Sequence, residues 1–355
     1  MKNTELISNN GQSIWLDYIS RKDIQNGDLE RIIKDCNVVG LTSNPTIFES
    51  AIVNTDAYDN QIKTLAMQGK KVEDIYESLV FKDIRDACDL LLDTYHKTNN
   101  ENGYVSLELP PYLSDDLQGT LEKARFYWQE VNRPNLMIKI PATDVGVEAL
   151  EILTQERINT NATLLFSLDQ YKKVSTAFIK GVSKCGQEEG YFAPSSVASF
   201  FISRIDKVLD EYDSLESGKA AVNNALAAYS YYFKSLDTKE WILQEEMGAQ
   251  PQRLLWASTS IKNEEYKPTK YIEELALSNT VNTVPLSLLK EVNNIEGDYS
   301  WKRMNLKLAE EYVNMLKSNY DFDNILNDLL IKGLESFNNS YLNIIQAITN
   351  KLDSV

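Results

Sequence analysis

Eight short runs of β-branched and apolar residues recur along this chain, separated by longer stretches of helical period. That alternation restricts the fold more than any other feature, because it is the pattern of βαβ units on a parallel sheet. The expected strands are Ser13–Asp17, Val38–Thr42, Tyr104–Leu109, Leu136–Ile140, Asn159–Phe166, Val197–Ile202, Leu254–Ser258 and Thr280–Val284. Eight such units close a barrel, so the expected class is α/β, a (β/α)8 TIM barrel. Between the strands, helical patterns cover Leu113–Val131, Gln170–Lys180, Ile202–Tyr212 and Gly218–Ser235, and Ser114, Asp115 and Asp116 suit the cap and first turn of the first of these. Val72–Lys97 is long enough for two helices inserted between the second and third strands. Past the eighth strand, Trp301–Lys317, Asn324–Phe337 and Phe337–Ile348 read as terminal helices, with apolar spacing at Phe337, Tyr341, Ile344, Ile345 and Ile348. With no internal repeat and no Pro-rich or Gly/Ser-rich linker, residues 1–355 are expected to form one domain, its terminal helices running from about 301 to 352.

The chemistry open to such a barrel is narrowed by what the chain lacks. Its one histidine, His96, lies in a helical stretch, which disfavours histidine triads and multi-histidine metal sites. Cys36, Cys88 and Cys185 are widely spaced and contain no C-x-x-C pair, so neither a disulfide framework nor a zinc site is expected. Neither a G-x-G-x-x-G after a strand nor a G-x-x-x-x-G-K-[ST] occurs, and the expectation is an enzyme with no metal and no cofactor. A formal net charge of −16 repels nucleic acid in the absence of a basic patch. The N-terminal segment lacks the apolar core of a signal peptide and no run of 18 apolar residues occurs, so the expected partners exclude membranes and the expected location is the cytoplasm.

Catalysis must then run on Lys, Asp, Glu and hydroxyl groups. Strands of a barrel are covered on both faces, so an ionisable residue within one needs a partner, a shifted pKa or a function. Asp17, Glu108 and Lys139 are three such residues. Period-two alternation puts Lys139 with Met137 and away from Leu136, Ile138 and Ile140, which turns it into the barrel. The same reasoning groups Ser106 with Glu108 and Trp15 with Asp17, and all three ionisable groups fall near the C-terminal ends of their strands, where barrel active sites lie. A structural Lys–carboxylate pair that fixes register would give the same pattern. Convergence of three charges at one end favours chemistry, and a desolvated lysine suits Schiff-base formation, since only the neutral amine attacks a ketone.

These residues carry a resemblance. The segments "SIWLDYIS", "VVGLTSNPTIFESAI", "VSLELPPYLSDD", "RPNLMIKIPAT", "INTNATLLFSLDQY", "VASFFISRID", "GKAAVNNA", "RLLWASTSIKN" and "NTVNTVP" stand in the order found in transaldolases, and the chain resembles the longer branch of that family from about residue 13 to its last helix. The resemblance implies that Lys139 is the Schiff-base lysine, that Glu108 works through a catalytic water held by Thr163, and that Asp17 is the acid/base for carbon–carbon cleavage. It also implies that Asn44, Asn161 and Ser199 bind the dihydroxyacetone portion, that Thr42 and Phe201 line the site, and that Arg204 and Ser258 meet the phosphate. One departure stands out: Ser260 occupies the position of the family's second phosphate-binding arginine, and Lys262 is the nearest cation that could substitute for it.

The implied activity is transfer of a dihydroxyacetone unit from sedoheptulose 7-phosphate or fructose 6-phosphate to glyceraldehyde 3-phosphate or erythrose 4-phosphate, with sugar phosphates as the only partners and a monomer or homodimer as the assembly. Two alternatives use the same sequence. One is a Schiff-base aldolase acting on fructose 6-phosphate; the other is a catalytically silent barrel kept as a binding partner.

Overall fold

Strands that are buried on both faces are selected by continuous apolar and β-branched runs, and here every residue from the third strand to the eighth that lies in a strand is buried. The computed structural model describes residues 3–185, 193–212, 217–294 and 305–353. Its strands are β1 (Gln12–Asp17), β2 (Gly40–Thr42), β3 (Tyr104–Glu108), β4 (Leu136–Pro141), β5 (Thr160–Leu165), β6 (Ser196–Phe201), β7 (Arg253–Ala257) and β8 (Thr280–Val284). They pair in parallel, each with the next, and β8 returns to β1 to close the barrel.

Helices fill the connections. The chain enters through α1 (Asn3–Asn9); α2 (Arg21–Gln25) and α3 (Asp28–Asp35) join β1 to β2, and α4 (Pro45–Val53), α5 (Asp59–Met67) and α6 (Val72–Lys97) join β2 to β3. Next come α7 (Leu117–Val131), α8 (Asp144–Gln155), α9 (Leu168–Ser183), α10 (Ser203–Tyr212), α11 (Ala220–Leu236), α12 (Lys239–Glu246), α13 (Lys270–Glu274) and α14 (Leu286–Asn294). The chain ends in α15 (Leu306–Asn319) and α16 (Phe322–Asp353).

Two expectations are corrected. Val72–Lys97 forms one helix, α6, because no Gly or Pro interrupts it. Asn324–Ile348 likewise lies within the single helix α16. Its one glycine, Gly333, does not break it: a Cβ there would stand 2.9 Å from Leu164 Cδ2, so the glycine lets α16 cross close over β5. Trp301–Met304, the start of the expected first terminal helix, lie outside the described residues. Capping follows the sequence: Asp116 accepts from Gly119 N at 3.0 Å to start α7, and Ser167 with Gln170 forms a capping box on α9.

The alternation argument holds at β4. Leu136, Ile138 and Ile140 belong to the apolar cluster that contains Leu121, Ala124 and Val131 of α7, whereas Met137 belongs with Trp15 and Tyr104. Trp15 fills the barrel interior against β2, and a Cβ on Gly40 would come within 2.4 Å of its indole, so no larger residue fits without displacement. Arg253 closes the N-terminal end by donating to Ser13 Oγ at 2.9 Å and Glu101 O at 2.6 Å. The opposite, C-terminal end holds a cavity.

Candidate active site

Parallel register brings Glu108 of β3 level with Lys139 of β4, and Lys139 level with Asn161 of β5. Lys139 Nζ lies 3.0 Å from Glu108 Oε2, with the two side chains 6% and 2% exposed. The same amine donates to the carbonyl of Ser43 at 3.1 Å. Ser43 is fixed in turn, since its hydroxyl donates to Ser106 O at 2.8 Å. On the remaining side the Phe337 ring, from α16, stands 5.7 Å from Nζ. Lys139 is therefore held on three sides by a carboxylate, a carbonyl and an aromatic face, in a setting with little water to solvate an ammonium.

The Lys139–Glu108 contact is close but off the hydrogen-bonding direction, and neither Glu108 oxygen has a well-aligned donor among the described residues. Thr163 Oγ1 is likewise buried without a partner. Unsatisfied buried oxygens on the strands flanking β4 are costly unless a further polar group meets them in use. Burial pushes the Glu108 carboxyl above the usual range, Lys139 pulls it back, and Asp17 raises it again.

Asp17 ends β1. Its Oδ1 accepts from Thr42 Oγ1 at 2.6 Å and its Oδ2 faces Asn44 Nδ2 at 3.5 Å. Asn44 has a second task, because its Oδ1 caps α4 by accepting from Ile47 N at 3.0 Å. The "TSNP" turn thus orients a side-chain amide toward Asp17 while starting a helix. Burial raises the Asp17 carboxyl, opposed by Lys139 and by the Thr42 hydrogen bond.

A β-bulge lies between Ala162 and Leu165, where Leu164 adopts a left-handed φ of 58°. Bulges re-aim side chains beside functional sites. Here Leu164 packs beneath Gly333 of α16 while Thr163 faces the cavity. Ser258, just past β7, is also left-handed at φ 56°, and its hydroxyl lies 3.1 Å from that of Ser203.

These groups surround a cavity of about 580 Å³ at the C-terminal end of the barrel. Lys139, Asp17, Thr42, Asn44, Thr163, Ser199 and Phe201 line it, and so do Arg204, Ser258, Ser260 and Lys262. Two expected residues do not. Glu108 sits behind Lys139, in a recess shared with Tyr76 and Tyr341. Asn161 lies beneath the floor, donating to Ser106 Oγ at 2.9 Å and accepting from Ser199 Oγ at 2.7 Å. Residues that sequence reasoning did not single out for the site also line it, Thr283 and Phe337 among them.

Arg204, in the first turn of α10, faces no carboxylate within ion-pair distance among the described residues, and its guanidinium stands 5.3 Å from the Phe201 ring. Burial alone lowers its pKa. Lys262 is exposed at the rim, and its pKa is lowered by burial and then by Arg204 and Lys207. In a chain of net charge −16, two cations with no ion-pair partner among the described residues, beside two hydroxyls, are suited to an anion. Among the described residues no group of three or more His, Cys, Asp or Glu stands at metal-binding spacing. No helix among them is long and apolar enough to cross a membrane.

A buried lysine ion-paired to one carboxylate, a second carboxylate across the same cavity mouth and an anion site beyond are suited to imine chemistry on a phosphorylated carbonyl compound. A family model described as Transaldolase/Fructose-6-phosphate aldolase matches residues 14–348. The "Transaldolase" of Trichodesmium erythraeum is 39% identical, covering 98% of this chain and 96% of its own length. "Transaldolase 2" of a Nostoc species is 39% identical over 96% of this chain and 95% of its own, and the "Transaldolase" of Saccharopolyspora erythraea is 37% identical over 99% and 98%. With a closed eight-stranded barrel and a model match over nearly its whole length, the chain belongs to the transaldolase/fructose-6-phosphate aldolase family.

Proposed function

We propose that this protein is a transaldolase that moves a dihydroxyacetone unit between sugar phosphates through an imine on Lys139. The observation that carries this reading is the buried Lys139–Glu108 pair, 3.0 Å apart, with Lys139 of β4 and Asp17 of β1 lining one cavity. Lys139 passes its proton to Glu108, 3.0 Å away, and attacks C2 of fructose 6-phosphate or sedoheptulose 7-phosphate as the neutral amine. The carbinolamine then loses water, its hydroxyl leaving with a proton relayed from Glu108 through a water bound between Glu108 and Thr163. The unpartnered oxygens of both residues support that assignment.

Asp17 takes the proton of the C4 hydroxyl, the C3–C4 bond breaks, and its electron pair enters the iminium to give an enamine. The shortened aldose phosphate departs. An acceptor aldehyde, glyceraldehyde 3-phosphate or erythrose 4-phosphate, takes the enamine carbon by the reverse path, and hydrolysis frees Lys139. The iminium performs the polarisation that a Lewis acid would otherwise supply. Ser199, with Asn161 beneath it, and Asn44 and Thr42 orient the three-carbon unit beside Phe201. Arg204 clamps the phosphate, assisted by Lys262, Ser258 and Ser260, because the transferred unit itself carries no phosphate. The reading extends to a single-domain enzyme of the cytoplasm, working as a monomer or homodimer.

Borohydride added with fructose 6-phosphate tests the reading. A reduced dihydroxyacetone adduct is expected on Lys139, in the peptide containing "LMIKIPAT". Label on another lysine, or none in active protein, overturns it. The family description also names fructose-6-phosphate aldolase. Under that second reading free dihydroxyacetone accumulates at the same rate with or without an acceptor aldehyde.

A further inference from the structure

Asp17 does not meet Thr42 in isolation. Thr42 Oγ1 donates to Asp17 Oδ1 at 2.6 Å and also lies 2.7 Å from Thr283 Oγ1, on β8. Thr283 is 5% exposed and lines the cavity. A hydroxyl carries one proton, so the direction of the chain is fixed by Asp17. When Asp17 is ionised, Thr42 donates to it and must accept from Thr283. When Asp17 carries a proton on Oδ1, it donates to Thr42, Thr42 donates to Thr283, and the Thr283 proton turns away from Thr42.

We infer that Thr283 is a positioning residue that acts through Thr42, orienting its proton onto Asp17 Oδ1 so that Oδ2, the oxygen facing Asn44, is the one left to take the substrate proton. The inference rests on Asp17 being the base for carbon–carbon cleavage. Each hydroxyl that accepts becomes a stronger donor, so Thr283 strengthens the Thr42 bond to the carboxylate. The charged groups whose fields reach Asp17 are Lys139 on β4, which favours the ionised form, and Glu108 on β3, which is itself raised by Asp17. Asn44, from the start of α4, and Thr42, on β2, supply the polar contacts. Loss of the Thr283 hydroxyl therefore leaves the Asp17 carboxylate less stabilised and raises its pKa.

Thr283→Val keeps the volume and removes the hydroxyl. It is expected to lower kcat about three- to tenfold near the acidic limb of the pH profile. The same variant should move that limb roughly half to one unit to higher pH, with KM and the borohydride adduct on Lys139 retained. Thr283→Ser, which restores a hydroxyl, should return both to wild type. If Thr283→Val does not fold, Thr283→Ala carries the same comparison. An unshifted limb in the hydroxyl-less variant, or a serine variant that resembles valine, overturns the relay. Failure of wild-type trapping would instead overturn the imine reading on which it depends.

Discussion

Arg204→Gln separates ligand binding from folding, because only binding is expected to suffer a net loss. In the protein without ligand, Arg204 is a half-buried cation with no carboxylate within ion-pair distance among the described residues, and burial lowers its pKa. Removing such a charge relieves a desolvation penalty. What is lost is the contact with the Phe201 ring at 5.3 Å, worth about 0.5–1 kcal/mol at a partly exposed site. The two nearly cancel, so the melting temperature should stay within about 2–4 °C of wild type. Binding has no such offset. Each charge-assisted hydrogen bond to a phosphate contributes about 1.5–3 kcal/mol, which predicts a loss of roughly 10- to 150-fold in kcat/KM for a phosphorylated acceptor. The assay is a ping-pong measurement at saturating fructose 6-phosphate, in which acceptor kcat/KM reports only the second half-reaction. Glyceraldehyde 3-phosphate should suffer the full loss and unphosphorylated glyceraldehyde almost none. Lys262→Ala, at an exposed and screened position, should show the same selectivity at about fivefold or less. Equal losses on both acceptors, or a large fall in melting temperature with selectivity intact, would refute the phosphate clamp.

The two carboxylates should fail differently. Under the proposed mechanism Asp17→Ala should block cleavage after imine formation, so that borohydride traps intact substrate on Lys139, whereas Glu108→Ala should slow appearance of any adduct; equal loss of trapping refutes the division. Asp206, a buried residue in the first turn of α10, supplies a stability test. Its carboxylate accepts from Ala221 N at 2.8 Å and Tyr271 Oη at 2.7 Å, yet burial raises its pKa to about 6. A folded-state value above the unfolded one means the folded state binds more protons between about pH 4 and 6, so stability contributed by this group falls as pH rises through that window. The fall is up to about 3 kcal/mol. Denaturant titrations of Asp206→Asn from pH 4 to 7 should lose that slope; an unchanged slope assigns it to other groups.

Much of the fold was legible because the deciding information is local. Apolar runs of strand length alternating with helical period determined eight strands and their order, and period-two alternation determined which face each residue takes. A lysine in "LMIKIPAT" must face inward because its neighbours Ile138 and Ile140 pack toward the helices. The sequence alone also put Asp17 and Glu108 at the same end of the barrel. Tertiary structure decided which atoms meet there. Closure of β8 onto β1 brings Thr283 within 2.7 Å of Thr42, 241 residues earlier in the chain, and no local pattern encodes that contact. Phe337 read as one residue of an apolar stripe, and it stands over Lys139 only because α16 runs unbroken past Gly333. Glu108 and Asn161 follow the alternation rule, but the tilt of the closed barrel puts Glu108 behind Lys139 and Asn161 under Ser199. Side-chain direction is a property of the strand; distance across a barrel is set by shear and closure, which emerge only when all eight strands are in register.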